Sequence, residues 1–227
     1  MAETKSLKEQ NAWLIRAAMI AHATAFLVVA MEPAKLFKAR SVHLAAKLEA
    51  MAVPGSASLG LIVIASLILL GLIPPNWRDR LIHLRWQHPL PGSRAFTVVG
   101  PTSSHVDMTA LESKLGPLPT DPATQNRLFY RIYKPIRDDI SVCDPHRRYL
   151  AARDIGTITA LLIVPLPVLA ILINGSVGRS AMYAACLLVA YVLCAVSAKN
   201  YGWRMVQHVL ALTAAGEPNL LVAAPQP

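Results

Sequence analysis

Charged residues are scarce in this chain, and aromatic ones are scarcer. Asp, Glu, Lys and Arg make up 15% of the 227 residues and Phe, Trp and Tyr 6%, against 54% hydrophobic residues. So low a charge excludes a disordered or low-complexity chain, which needs the opposite balance. With few aromatics, the apolar content falls to Ala, Leu, Ile and Val, the residues that cover lipid-facing helices. Cysteine is the third shortage, with three in all. Cys186 and Cys194 lie inside one apolar run and Cys143 in a polar, basic stretch, so nothing suggests a disulfide framework. No Cys/His doublet has zinc-finger spacing, which leaves a structural metal without ligands. A glycine-rich phosphate loop and a Ser or Cys nucleophile motif are likewise missing.

What is present is a set of apolar runs, each near the roughly 20 residues needed to cross a hydrocarbon core of about 30 Å. The expected fold is an all-α integral membrane protein with four transmembrane helices and a small, mostly helical cytoplasmic cap between spans 2 and 3. The expected order is an N-tail (1–11), a first span (12–31), an outer loop or amphipathic helix (32–53) and a second span (54–73). A basic cytoplasmic cap (74–154), a third span (155–174), an outer turn (175–179), a fourth span (180–198) and a cytoplasmic helix and tail (199–227) follow. The first run could instead be a signal peptide or lie flat on the surface, although Glu3, Glu9 and Arg16 argue against a cleaved leader.

Orientation follows from the basic residues in a chain of net charge +9. Arg78, Arg80 and Arg85 flank the second run, and Arg147, Arg148 and Arg153 flank the third. By the positive-inside rule this sets the middle segment and both termini of a multi-pass membrane protein in the cytoplasm. Lys35, Lys38, Arg40 and Lys47 in the first outer loop run against that orientation.

In the connecting segments, Asn76 is expected to cap a short interfacial helix with Trp77, Leu81, Leu84 and His88 on one face. Trp77, Arg78, Arg80, Arg85 and Trp86 suit the headgroup layer and its anionic phosphates. Residues 89–122 read as a turn-rich connector without a core of its own. It has one strand-like stretch, Ala95 to Val99, and one short helix with a capping box at Thr109 and Glu112. Residues 123–140 read as an amphipathic helix broken at Pro135, and Asp144-Pro145 as the N-cap and first position of the next helix. The run 199–215 continues the fourth span with an apolar face that needs a partner, and the Leu128 to Ile140 face fits it.

Pro91-Gly92-Ser93-Arg94-Ala95-Phe96, Leu118-Pro119-Thr120-Asp121-Pro122, Gln125-Asn126, Tyr130-Arg131-Ile132-Tyr133-Lys134, His146, Tyr149-Leu150 and Arg153-Asp154 together resemble an uncharacterised family of small bacterial four-span membrane proteins. The resemblance covers roughly residues 74 to 215. It implies a membrane protein and an association with antiphage systems, and it implies no activity.

Candidate residues fall into two groups. Ionisable groups inside a span are functional candidates because they are costly there. Arg16 is placed to snorkel to the headgroups. His22, near mid-span, suits an interhelical hydrogen bond or a proton-sensitive pore. Asp154, at the inner interface, is a partner for Arg16. The second group is a face of Arg127, Arg131, Lys134, Arg137, Arg147 and Arg148, offered to a cytosolic protein partner or to lipid.

Enzyme readings have little material. Arg78 and His83 match an Arg-x4-His spacing used by helical ribonucleases, and His105 and Asp107 could orient a base. His83 and His88, however, are five apart, not the four that puts two metal ligands on one turn. The reading is therefore non-enzymatic, with no cofactor and no metal. The protein is expected to be a membrane scaffold or effector, with an oligomeric channel or pore of a homo-oligomer as the alternative. Nucleic acid is disfavoured, because topology and lipid headgroups explain the arginines more simply.

Overall fold

The computed structural model describes residues 7–31, 60, 63–65 and 67–216. The expected outer loop at 32–53, much of the second apolar run and the last residues of the tail lie outside them. Every regular element among the described residues is helical. These are α1 (Leu7–Met31), α2 (Pro75–His83), α3 (Met108–Leu115), α4 (Pro122–Ile136), α5 (Ile140–Leu162), α6 (Pro165–Asn174) and α7 (Val177–Ala215). α1 and α7 are long and apolar enough to cross a membrane, and α5 with α6 passes the same test as one span bent by 42°. The bend falls where Pro165 and Pro167 remove backbone donors. α7 needs about half its 39 residues to cross, so its second half is free for other packing.

The chain divides into two compact units, residues 1–82 with 151–196 and residues 83–150 with 197–227. In the first, Met19, Ala23, Phe26 and Ala30 make a buried stripe along α1 at helical spacing, packed with Ile158, Leu162, Leu166, Ala170, Tyr183 and Leu187. The order of contacts fixes polarity. His22 meets Thr159, and the Asn174 amide donates to the Val29 carbonyl at 3.0 Å, so α1 runs parallel to α5–α6. The Tyr183 hydroxyl reaches the His22 carbonyl from α7. Gly175, left-handed at φ 66°, ends α6 and lets the chain reverse through two residues into α7. Gly156 permits a close approach between α5, α2 and α7: a Cβ there would lie 2.5 Å from Ile82 Cδ1 and 2.9 Å from Cys194 Cβ. The three cysteines are free thiols.

The second unit has its own core of Ala95, Phe96, Val99, Val106, Leu111, Phe129, Ile132, Val142, Met205, Val206, Val209 and Leu210. The apolar face of 199–215 thus packs on the Phe129–Ile132 face of α4, as its spacing suggests. Residues 89–122 are no coreless connector, since five of these core residues come from them. The strand expected at Ala95 to Val99 is a π-helical turn after a 3-10 turn, Pro91–Arg94. The physical cause is Gln125, buried on α4, whose Oε1 accepts from Phe96 N at 3.1 Å and Thr97 N at 3.3 Å. A side chain there takes the donors a strand partner would need.

The helix ends also differ from expectation. Asp107, not Thr109, caps α3 by accepting from Ala110 N at 2.9 Å. Asp121 caps α4, with Pro122 at its first position. Pro135 lies in the last turn of α4, where it stops the helix rather than kinking it. α5 starts at Ile140, earlier than the Asp144-Pro145 signal, because the Asp139 carboxylate accepts from Ser141 N at 2.8 Å. The α2 helix stops at His83. Leu84 and His88, expected on its face, lie beyond it at φ 49° and 47°.

Candidate functional site

Two arrangements of charge stand out, one in each unit. In the first unit, Arg78, Asp79, Arg153 and Asp154 form a buried ionic chain. Their side chains are 13%, 4%, 7% and 6% exposed. Arg153 reaches Asp79 at 3.3 Å and Asp154 at 3.0 Å, and Arg78 reaches the same Asp154 oxygen at 3.4 Å. Two cations and two anions give a net charge of zero, which makes their common burial tolerable. Arg78 also donates to the carbonyls of Ile73 at 2.9 Å and Leu70 at 2.6 Å. These carbonyls belong to the last turn before Pro74-Pro75, where no backbone donor follows. The guanidinium thus caps the apolar run that precedes it. The Tyr191 hydroxyl donates to the Leu81 carbonyl at 2.6 Å and ties α7 to α2.

This corrects two expectations. Asp154 pairs with Arg78 and Arg153 rather than with Arg16, whose side chain is exposed on α1. Arg78 is not turned to the headgroups, because Asp154 and the two carbonyls draw it inward. Of the other interfacial residues, Trp77, Arg85 and Trp86 are exposed, and Arg80 lies 5.0 Å over the Trp77 ring. His22 is half-buried, its Nε2 3.0 Å from Thr159 Oγ1. Since Thr159 already donates to the Ile155 carbonyl at 2.9 Å, His22 is the donor, an interhelical bond between α1 and α5.

In the second unit the basic side chains are on the surface. Arg127, Arg131, Lys134 and Arg137 are exposed along α4, and the exposed Tyr130 stands among them. Arg147 and Arg148 do not join this row freely. Asp144 holds them at 2.9 and 2.8 Å, one helical turn away. The hydrogen bond from Arg147 keeps the Asp144 carboxyl below the usual carboxylate range, and the Thr124 backbone N–H does the same for Asp121. Tyr133 and His146 face each other inside the unit, hydroxyl to Nδ1 at 2.9 Å, and burial pushes the Tyr133 phenol up. His83 stacks on Tyr149, and Asp107, read as orienting a base, caps a helix instead.

Residue reading missed several participants. Arg153 enters the sequence reading only as a flank of the third run, and Asp79 has no assigned role there. The available signal was the recurrence of Arg-Asp at both span ends, Arg78-Asp79 and Arg153-Asp154. Also missed were Lys199, Tyr201, Trp203 and Arg204, where Arg148 and Arg204 flank the Tyr201 ring at 5.8 and 5.9 Å and Lys199 lies 4.9 Å over Trp203. Arg94 is half-buried, and its Nε is enclosed without a hydrogen-bond partner. Among the described residues no group of three or more His, Cys, Asp or Glu is placed to hold a metal ion. No protein-family model, curated protein or solved structure matches the chain.

Proposed function

We propose that this chain is a multi-pass protein of the bacterial inner membrane, with four spans and both termini in the cytoplasm. Its second unit would serve as a basic docking cap for a cytosolic protein partner, without enzymatic activity of its own. The supporting observation is the contrast between the surfaces of the two units. The first leaves Leu172, Met182, Val189 and Leu193 more than half exposed, a surface that water does not tolerate as a contiguous patch and lipid does. Four of its charges, Arg78, Asp79, Arg153 and Asp154, are folded inward and neutralised. The second gathers twelve apolar residues into a buried core and turns Arg127, Arg131, Lys134 and Arg137 outward. Such a row favours an acidic partner surface through steering and charge complementarity. The parallel course of α1 and α5–α6 also fits a first and third span that both leave the cytoplasmic side.

Reporter fusions test the topology. Fluorescent protein placed within residues 101–105 or at the C-terminus should fold and fluoresce, and alkaline phosphatase within 32–53 or after Gly175 should be active. Phosphatase activity from the 101–105 fusion would invert the orientation. For the docking role, Arg127→Glu with Arg131→Glu should abolish in-cell crosslinks formed from Tyr130. Ion leakage from vesicles holding the purified protein would replace the scaffold reading with that of a pore.

A further inference from the structure

α7 leaves its apolar stretch through a cluster that suits one ligand chemistry. Leu193 and Val196 are the last strongly exposed aliphatic residues, at 62% and 51%. Tyr201 follows Val196 by five residues, about 7 Å along the helix axis. That matches the depth of a headgroup layer, roughly 5–7 Å on each side of the hydrocarbon core. At this level the Tyr201 ring is flanked by the guanidiniums of Arg148 and Arg204. The exposed Lys199 adds charge beside Trp203. Asp144 neutralises the charge on Arg148, and among the described residues no carboxylate lies within salt-bridge distance of Arg204 or Lys199.

We propose that Arg148, Arg204 and Tyr201 form a binding site for the phosphate of an anionic phospholipid. Two guanidiniums bracket the phosphate oxygens, and the phenol sits at the polar boundary as interfacial aromatics do. The site rests on the reading that α7 crosses the bilayer. It is separate from the α4 row, which is offered to protein.

The test uses the full-length protein, purified in mild detergent from phosphatidylcholine vesicles containing phosphatidylglycerol, with retained lipid counted by native mass spectrometry. Carbonate extraction of the same membranes reports independently whether the chain is integral; release into the wash would break the spanning reading, not the site. Retained phosphatidylglycerol should exceed phosphatidylcholine and fall about fivefold in Arg204→Gln, near the effect expected for one arginine at an anionic surface. It should fall further with Arg148→Gln added. Arg127→Gln with Arg131→Gln should leave it unchanged. Among the described residues Arg204 has no salt bridge to lose, so its single variant keeps the test open if the double variant misfolds. Undiminished retention in Arg204→Gln, an equal fall in the α4 variant, or displacement by millimolar inorganic phosphate would each overturn the lipid site.

Discussion

The two units solve the same problem in opposite ways. Each must place charged and apolar groups so that neither is left against the wrong surroundings. The first unit puts its aliphatic side chains outside and four charges inside, in a chain that sums to zero. The second puts a dozen apolar residues inside and keeps its ion pairs, Asp144 with Arg147 and Arg148 among them, at least one-third exposed. The lesson concerns how the same chemical contact is weighted. An arginine–aspartate contact of about 3 Å matters greatly where water is excluded and little where water competes for both partners.

The largest effect should therefore come from leaving one buried charge alone. Asp154→Asn strands Arg78 and leaves Arg153 with Asp79 alone, and we expect a loss of about 3–5 kcal/mol, read as thermal unfolding in detergent by circular dichroism. Removing the Asp79–Arg153 pair together, as Asp79→Leu with Arg153→Met, should cost less than that single change. Asp154 then still faces Arg78. A loss below about 1 kcal/mol for Asp154→Asn would mean that the network is as solvated as a surface pair, and the contrast between the units would collapse.

An intermediate effect should come from the polar group that the second unit does bury. Gln125→Ala removes the acceptor of Phe96 N and Thr97 N and should cost about 1–3 kcal/mol for a donor left dry. Hydrogen exchange at those two amides checks it: faster exchange confined to the second unit is expected, and unchanged protection would show that water replaces the side chain.

The smallest effect should come from acid. The Asp144 carboxyl is held below its usual range by Arg147, so its contribution is present above the unfolded value near pH 4 and fades as pH falls through the lower folded value. Because the group is well solvated, the change should stay below about 1 kcal/mol and vanish in Arg147→Gln with Arg148→Gln. A pH-unfolding curve of the two proteins that remained different below pH 2 would place the effect elsewhere.

Much of the helical plan was legible in the sequence because it rests on periodicity and on stop signals. The α7 extension, the Phe129–Ile132 face and the Gly175 reversal all follow from local spacing. What was not legible depended on pairs far apart in the chain. Ala95 to Val99 has the β-branched and aromatic content of a strand, and only Gln125, 28 or more residues from the amides it binds, turns it into a π-helical turn. Arg78 reads as one more basic residue at a span end until Asp154, 76 residues later, draws it inward. Arg16 and Asp154 share an expected depth, yet depth does not decide neighbours, and Asp154 had closer cations on its own helix and on α2.

The core of the second unit is drawn from both sides of a long detour through the chain. Lys114, on α3, donates to the carbonyls of Thr213, Ala214 and Gly216 at the end of α7, while Phe96 and Phe129 wait on Val206, Val209 and Leu210. During synthesis, the ribosome must make α5, α6 and the first half of α7 before these last core residues emerge. At roughly 5–20 residues per second, residues 83–150 stay open for seconds with their apolar face uncovered. The order of folding is thus written into the sequence: residues 151–196 are complete first, and the second unit closes last.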